Sequence, residues 1–180
     1  MYLPNKITNV LSKISKYYIV EYNDGKISSV SISDKDINIE MSSKGYCISI
    51  KGSNIHVDDL QGLEPLLIKI GAIKNSNEKI KKEPYIRDNL IELFSKNVNS
   101  FSVEYKLGKV VSVNIKSPTL ILRKNSVGYL LISNNESISI DSLTSLKSLL
   151  YKMNILSKDK KENKNKDLGF EQLMLDLDIL

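Results

Sequence analysis

The sequence predicts an α+β protein: a tandem duplication of one helix–antiparallel β-meander–helix unit, pseudo-twofold, with a flexible tail at the C-terminus. Three observations carry this expectation. The chain aligns with itself, Val10–Ile73 on Leu93–Leu156, without a gap and with about 30% identity. Its apolar period switches from helical spacing to strict alternation and back, twice and at matching places. Finally, the composition changes abruptly after Leu156, from mixed to purely polar.

Each unit can be justified element by element. Ile7, Val10, Leu11 and Ile14 recur at helical spacing, and Ile86, Leu90, Leu93 and Phe94 do so ahead of the second copy. Alternation follows: Tyr18, Val20 and Tyr22 share one strand face, as do Phe101, Val103 and Tyr105. Asn23-Asp24-Gly25 is a hairpin signal, because Asn, Asp and Gly tolerate the positive φ such turns require. Partner strands are expected over Ile27–Ile32 and Val110–Ile115, and third strands through Ile37, Ile39 and Met41 and through Leu120 and Leu122. Turns at Ser43–Gly45 and Ser126–Gly128 lead to fourth strands carrying Tyr46 and Ile48, or Tyr129 and Leu131. Short fifth strands fit Ile55–Val57 and Ile138–Ile140. A helix closes each unit. Asp58 and Asp141 are the candidate N-caps, and Leu66, Leu67, Leu149 and Leu150 the candidate core. Pro65 lacks an N–H, so the first of these helices is expected to start late, near Gly62.

The domain reading is therefore 1–73 for the first repeat, 74–84 for a polar linker and 85–156 for the second repeat. Residues 157–166 (SKDKKENKNK) form a basic tether without an apolar side chain. Residues 167–180 place Phe170, Leu173, Met174 and Leu177 on one helical stripe among four acids, the pattern of an amphipathic peptide that recruits a protein partner.

The copies are not equivalent. On the strand face away from the predicted core, the first carries Asn38, Cys47 and Ser49 where the second carries Ile121, Leu130 and Ile132. Those three are candidate protein-interaction residues, covered by the other repeat, a second copy of the chain in a homodimer, the C-terminal peptide or a partner protein, since a second apolar sheet face needs cover. Charge differs as well: residues 1–73 are neutral, whereas residues 93–156 carry a net charge of +5. Lys106, Lys109, Lys116, Arg123 and Lys124 are thus candidate contacts to a nucleic-acid backbone, without sequence readout.

The inventory argues against an enzyme. One cysteine and one histidine allow no Cys- or His-pair metal site, and no phosphate loop or nucleophile elbow occurs. His56 and Cys47 read as an edge-strand histidine and a small hydrophobe. Glu21 and Glu104 recur without a base beside them. Tyr22, Tyr46, Tyr105 and Tyr129 share the core parity, which places their rings inside and their hydroxyls at the core's edge. No catalytic residue, metal or cofactor is expected, and no membrane contact. The expected function is a non-enzymatic, cytoplasmic accessory protein of nucleic-acid metabolism. A scaffold subunit without nucleic-acid contact is the alternative.

Overall fold

A computed structural model describes residues 2–69, 84–134 and 136–157. The linker reading (apart from Pro84), the basic tether (apart from Ser157) and the recruitment peptide with Phe170, Leu173, Met174 and Leu177 lie outside these residues.

The chain runs α1 (Ile7–Ile14), β1 (Tyr17–Asn23), β2 (Lys26–Ile32), β3 (Ile37–Ser42), β4 (Gly45–Ile50), β5 (Ser53–Val57) and α2 (Leu60–Lys69). After the gap in the description come α3 (Asp88–Asn97), β6 (Ser100–Lys106), β7 (Lys109–Ile115), β8 (Leu120–Lys124), β9 (Tyr129–Ser133), β10 (Glu136–Ile140) and α4 (Leu143–Lys152). All strands join one antiparallel ten-stranded sheet in the order β10-β9-β8-β7-β6-β1-β2-β3-β4-β5. The protein is thus mixed helix and sheet, and the sheet dominates.

The two meanders meet at their first strands. β1 pairs with β6 so that Val20 lies opposite Val103, its own match in the sequence alignment. Stacked rings flank this pair: Tyr18 on Tyr105 with centroids 4.8 Å apart, and Tyr22 on Phe101 at 4.6 Å. Cross-strand aromatic pairs of this kind contribute about 0.5–1.5 kcal/mol beyond their buried area. Each hairpin turn then reaches across the seam. Asp24 N–H donates to Asn99 O at 2.7 Å, and Leu107 N–H donates to Lys16 O at 2.8 Å.

Those turns depend on their residues. Asp24 and Gly25 have φ of 48° and 72°, and Leu107 and Gly108 have 52° and 73°. Positive φ at both central positions is the primed turn whose twist matches the flanking strands. A Cβ on Gly25 would overlap the carbonyl oxygen of Ser95 in α3, whereas one on Gly108 would approach Ser12 Cβ in α1 at 2.9 Å. The glycines let each turn slide under the opposite helix.

One sheet face is buried across the eight inner strands, and less so at edge strands β5 and β10. Val20, Val30, Ile39, Ile48, Phe101, Val103, Val113 and Leu122 form a single core with Ile7, Leu11, Leu63, Leu67, Leu90, Phe94, Leu146 and Leu150 of the helices. Full burial of each such side chain is worth about 1.5–3 kcal/mol. The other face has no helix over it among the described residues. Antiparallel sheets tolerate that arrangement, since one face can stay in water.

Several expectations need correction. Ile86 lies ahead of α3, where its N–H donates to Val110 O at 2.8 Å in an isolated bridge. The caps fall one residue later than Asp58 and Asp141: Asp59 Oδ1 accepts from Gly62 N–H at 2.7 Å, and Ser142 Oγ accepts from Ser145 N–H at 3.1 Å. With Asp59 holding the first turn, α2 starts at Leu60, and Pro65 is accommodated within it. The carbonyl that Pro65 cannot serve belongs to exposed Gln61, within reach of water. Leu66 and Leu149 are only partly buried, because the helix face toward the sheet is centred on Leu63 and Leu67 and on Leu146 and Leu150.

Candidate functional site

The uncovered sheet face is where the sequence-predicted residues concentrate. Direct pairing places side chains in two long rows across the ten strands. One reads His56, Cys47, Glu40, Ser29, Glu21, Ser102, Asn114, Ile121, Ile132 and Ser137. The other reads Asn54, Ser49, Asn38, Ser31, Ile19, Glu104, Ser112, Arg123, Leu130 and Ser139.

Across β2–β5 this face is small and polar, and it satisfies itself. Ser31 Oγ donates to Asn38 Oδ1 at 3.1 Å, Asn38 Nδ2 to Glu40 Oε1 at 2.7 Å, and Ser49 Oγ to Asn54 Oδ1 at 2.7 Å. Toward the centre, Asn114 Nδ2 donates to Glu104 Oε1 at 3.3 Å. Glu21, on the same face, holds Lys116 Nζ at 2.9 Å. Both recurring glutamates therefore have structural partners. Cys47 is half-buried, and His56 is exposed on edge strand β5.

Across β8 and β9 the face turns apolar. Ile121 stands directly opposite Ile132, and Leu130 lies opposite Arg123. All three apolar side chains are half-buried, by one another and by their strand neighbours.

The five candidate cations do not form one patch. Lys106 and Lys109 face each other at the β6–β7 hairpin, and Arg123 is exposed on the same sheet face, level with Ser112 of β7. Lys116 sits at the opposite end of β7, on Glu21. Lys124 turns toward the core side, its Nζ 4.2 Å from the Tyr129 ring centroid and 3.1 Å from Gly128 O.

Two residues that the charge pattern alone did not single out join the first group. Tyr17 is 44% exposed and lies directly opposite Lys106. Lys16 Nζ and Lys106 Nζ each lie 5.6 Å from its ring centroid. Such cation–π contacts hold an exposed ring in place. Lys109 Nζ lies 4.6 Å from the ring of Tyr85. One end of the central strands thus carries Lys16, Tyr17, Lys106 and Lys109, with Arg123 one strand further out on β8. The end related to it by the self-alignment has Asn99, Ser100, Asn23, Lys26 and Glu40 in their places. The signal available in the sequence was the outward parity of Tyr17; its neighbours came from pairing across the seam.

Among the described residues no three His, Cys, Asp or Glu side chains gather as a metal-binding group. No described helix is long and apolar enough to cross a membrane. Comparison of the chain with protein-family models, with curated proteins and with solved structures returns no match.

Proposed function

We propose that this protein is a non-enzymatic, nucleic-acid-associated accessory protein that contacts a phosphate backbone at the cationic end of the central strands of its open sheet face. One observation carries the reading: Tyr17 has Lys16 and Lys106 against its ring on a face that no described helix covers, with Lys109 two strands and Arg123 three strands further along that face. Lysines supply backbone attraction, and a stacked aromatic accepts any exposed base, a combination suited to single strands. We further infer that the body is a duplicated helix–meander–helix unit with an approximate twofold axis at Val20 and Val103. The pairing of equivalent residues across the seam supports this, as do turns that reach across it in matching ways. Duplication followed by divergence accounts for a cationic end on one side only.

A salt series of labelled single- and double-stranded oligonucleotides, followed by anisotropy, tests the reading. Affinity should fall log-linearly with salt, at about −0.7 per phosphate contacted on single strands. Tyr17→Ala should weaken single-strand binding by about 1–3 kcal/mol while leaving that slope unchanged. Lys106→Gln with Arg123→Gln should lower the slope by about two phosphates. Absence of binding at about 50 mM salt would overturn the reading. It would favour the scaffold alternative, for which the contiguous Ile121, Ile132 and Leu130 speak directly.

A further inference from the structure

The helix-covered side holds a cavity of about 320 Å³ between α1 and α3, above the seam of β1 and β6. Its walls come from Asn5, Thr8, Asn9 and Ser12 on one side and Asp88, Ile91, Glu92 and Ser95 on the other. Tyr18, Tyr22 and Tyr105 reach it from the sheet, and the Gly25 and Gly108 turns close its ends. Its size suits a small organic molecule.

The hydrogen-bond directions decide what could sit there. Thr8 Oγ1 donates to Asn5 O at 2.9 Å, Ser12 Oγ to Asn9 O at 2.9 Å, and Ser95 Oγ to Glu92 O at 2.8 Å. Tyr18 Oη donates to Thr8 O at 3.3 Å, and the Tyr22 and Tyr105 hydroxyls bond each other. Most hydroxyl protons in the cavity are therefore already committed, which leaves oxygen lone pairs toward the space. Charge points the same way. The α3 wall carries Asp88 and Glu92 where the matching α1 positions are Asn5 and Asn9, and no lysine or arginine is among the described residues that line the cavity. Glu92 is shared with Lys96 at 2.9 Å, so Asp88 is the principal negative charge. Burial, first of all, keeps the three phenols protonated, with the Asp88 carboxylate adding to it. A site rich in acceptor oxygens, with Asp88 its principal charge, calls for a ligand that brings donors and positive charge. A divalent metal ion fits poorly, since it prefers several carboxylate oxygens.

We propose that this cavity binds a small primary ammonium compound, its –NH₃⁺ group donating to Asp88 and to the Tyr22–Tyr105 hydroxyl pair. The site is independent of the sheet face that would meet nucleic acid. Calorimetric titration of the full chain with putrescine, at constant ionic strength, tests it. Butane-1,4-diol serves as the uncharged control and potassium chloride as the ionic one. Saturable binding of putrescine near one per chain, without binding of the diol, is the expected result. Asp88→Asn should weaken it about tenfold or more, the loss expected for a charge-assisted hydrogen bond. Because Asp88 also begins α3, Tyr105→Phe provides a second variant. It should weaken putrescine binding while leaving the circular-dichroism spectrum unchanged. The proposal is overturned if putrescine does not bind, if the diol binds equally well, or if both variants retain the parent affinity.

Discussion

The two halves of the sheet have nearly the same inward face and very different outward ones. Inward, Val20 and Val103, Tyr46 and Tyr129, and Leu63 and Leu146 occupy matching places in one core. Outward, the β2–β5 half shows Ser, Asn, Glu, Cys and His bonded mostly among themselves, whereas β8 and β9 show Ile121, Leu130 and Ile132 beside Arg123. The contrast separates two kinds of constraint. A residue in the shared core must fill a fixed volume, so it can exchange only within Ile, Leu, Val and the aromatics. A residue on the open face meets water or a partner, and is free to diverge toward a task.

The largest test of the inward similarity is a matched pair of truncations. Leu63→Ala and Leu146→Ala, both at fully buried positions, should each lower stability by about 2–5 kcal/mol in chemical denaturation. A cost below about 0.5 kcal/mol at either one would show that the two halves do not share equivalent cores.

Substitution of the seam glycines should sharpen the comparison. Both glycines have positive φ, but Gly25→Ala also overlaps the Ser95 carbonyl, whereas Gly108→Ala meets Ser12, chiefly its side chain. The first should cost about 2–4 kcal/mol and the second roughly half of that. Equal costs would mean that the seam is as tight on one side as on the other.

Alkaline pH should act most strongly on the seam, where burial perturbs the tyrosines most. Burial raises the pKa of Tyr18, Tyr22 and Tyr105, so the folded state keeps protons that the unfolded chain loses near pH ~10. Their contribution is therefore fully present below about pH 10 and declines as pH rises above it. Spectrophotometric titration should show phenolate appearing together with unfolding for these tyrosines. Titration of all nine tyrosines near pH ~10 in folded protein would refute the buried seam.

The smallest effect is expected outside. Ile121→Asn with Ile132→Ser installs the residues of the first half at half-buried positions. Stability of the monomer should change by no more than about 1 kcal/mol. A larger loss, together with a smaller species in size-exclusion chromatography, would show that this patch lies in an interface between copies.

The sequence by itself determined the order of helices and strands, the face of each strand and the Gly-containing turns. These follow from local rules: apolar period, backbone freedom at glycine, and the inward parity of Tyr22, Tyr46, Tyr105 and Tyr129. Cap positions were legible only to within one residue, because Asp58-Asp59 and Asp141-Ser142 each offer two oxygens and only packing selects the second. Tertiary structure alone decided that the two meanders join through β1 and β6 into one sheet rather than stacking as two. Edge-to-edge pairing depends on hydrogen bonds between segments far apart in the chain, which leave no periodic trace in either segment. The same joint set Tyr17 against Lys106 and Glu21 against Lys116, whereas the second meander by itself parted Lys116 and Lys124 from the other cations. It also brought Tyr18, Tyr22, Tyr105 and Asp88 around one cavity, since a side chain's neighbours across a seam are fixed by register.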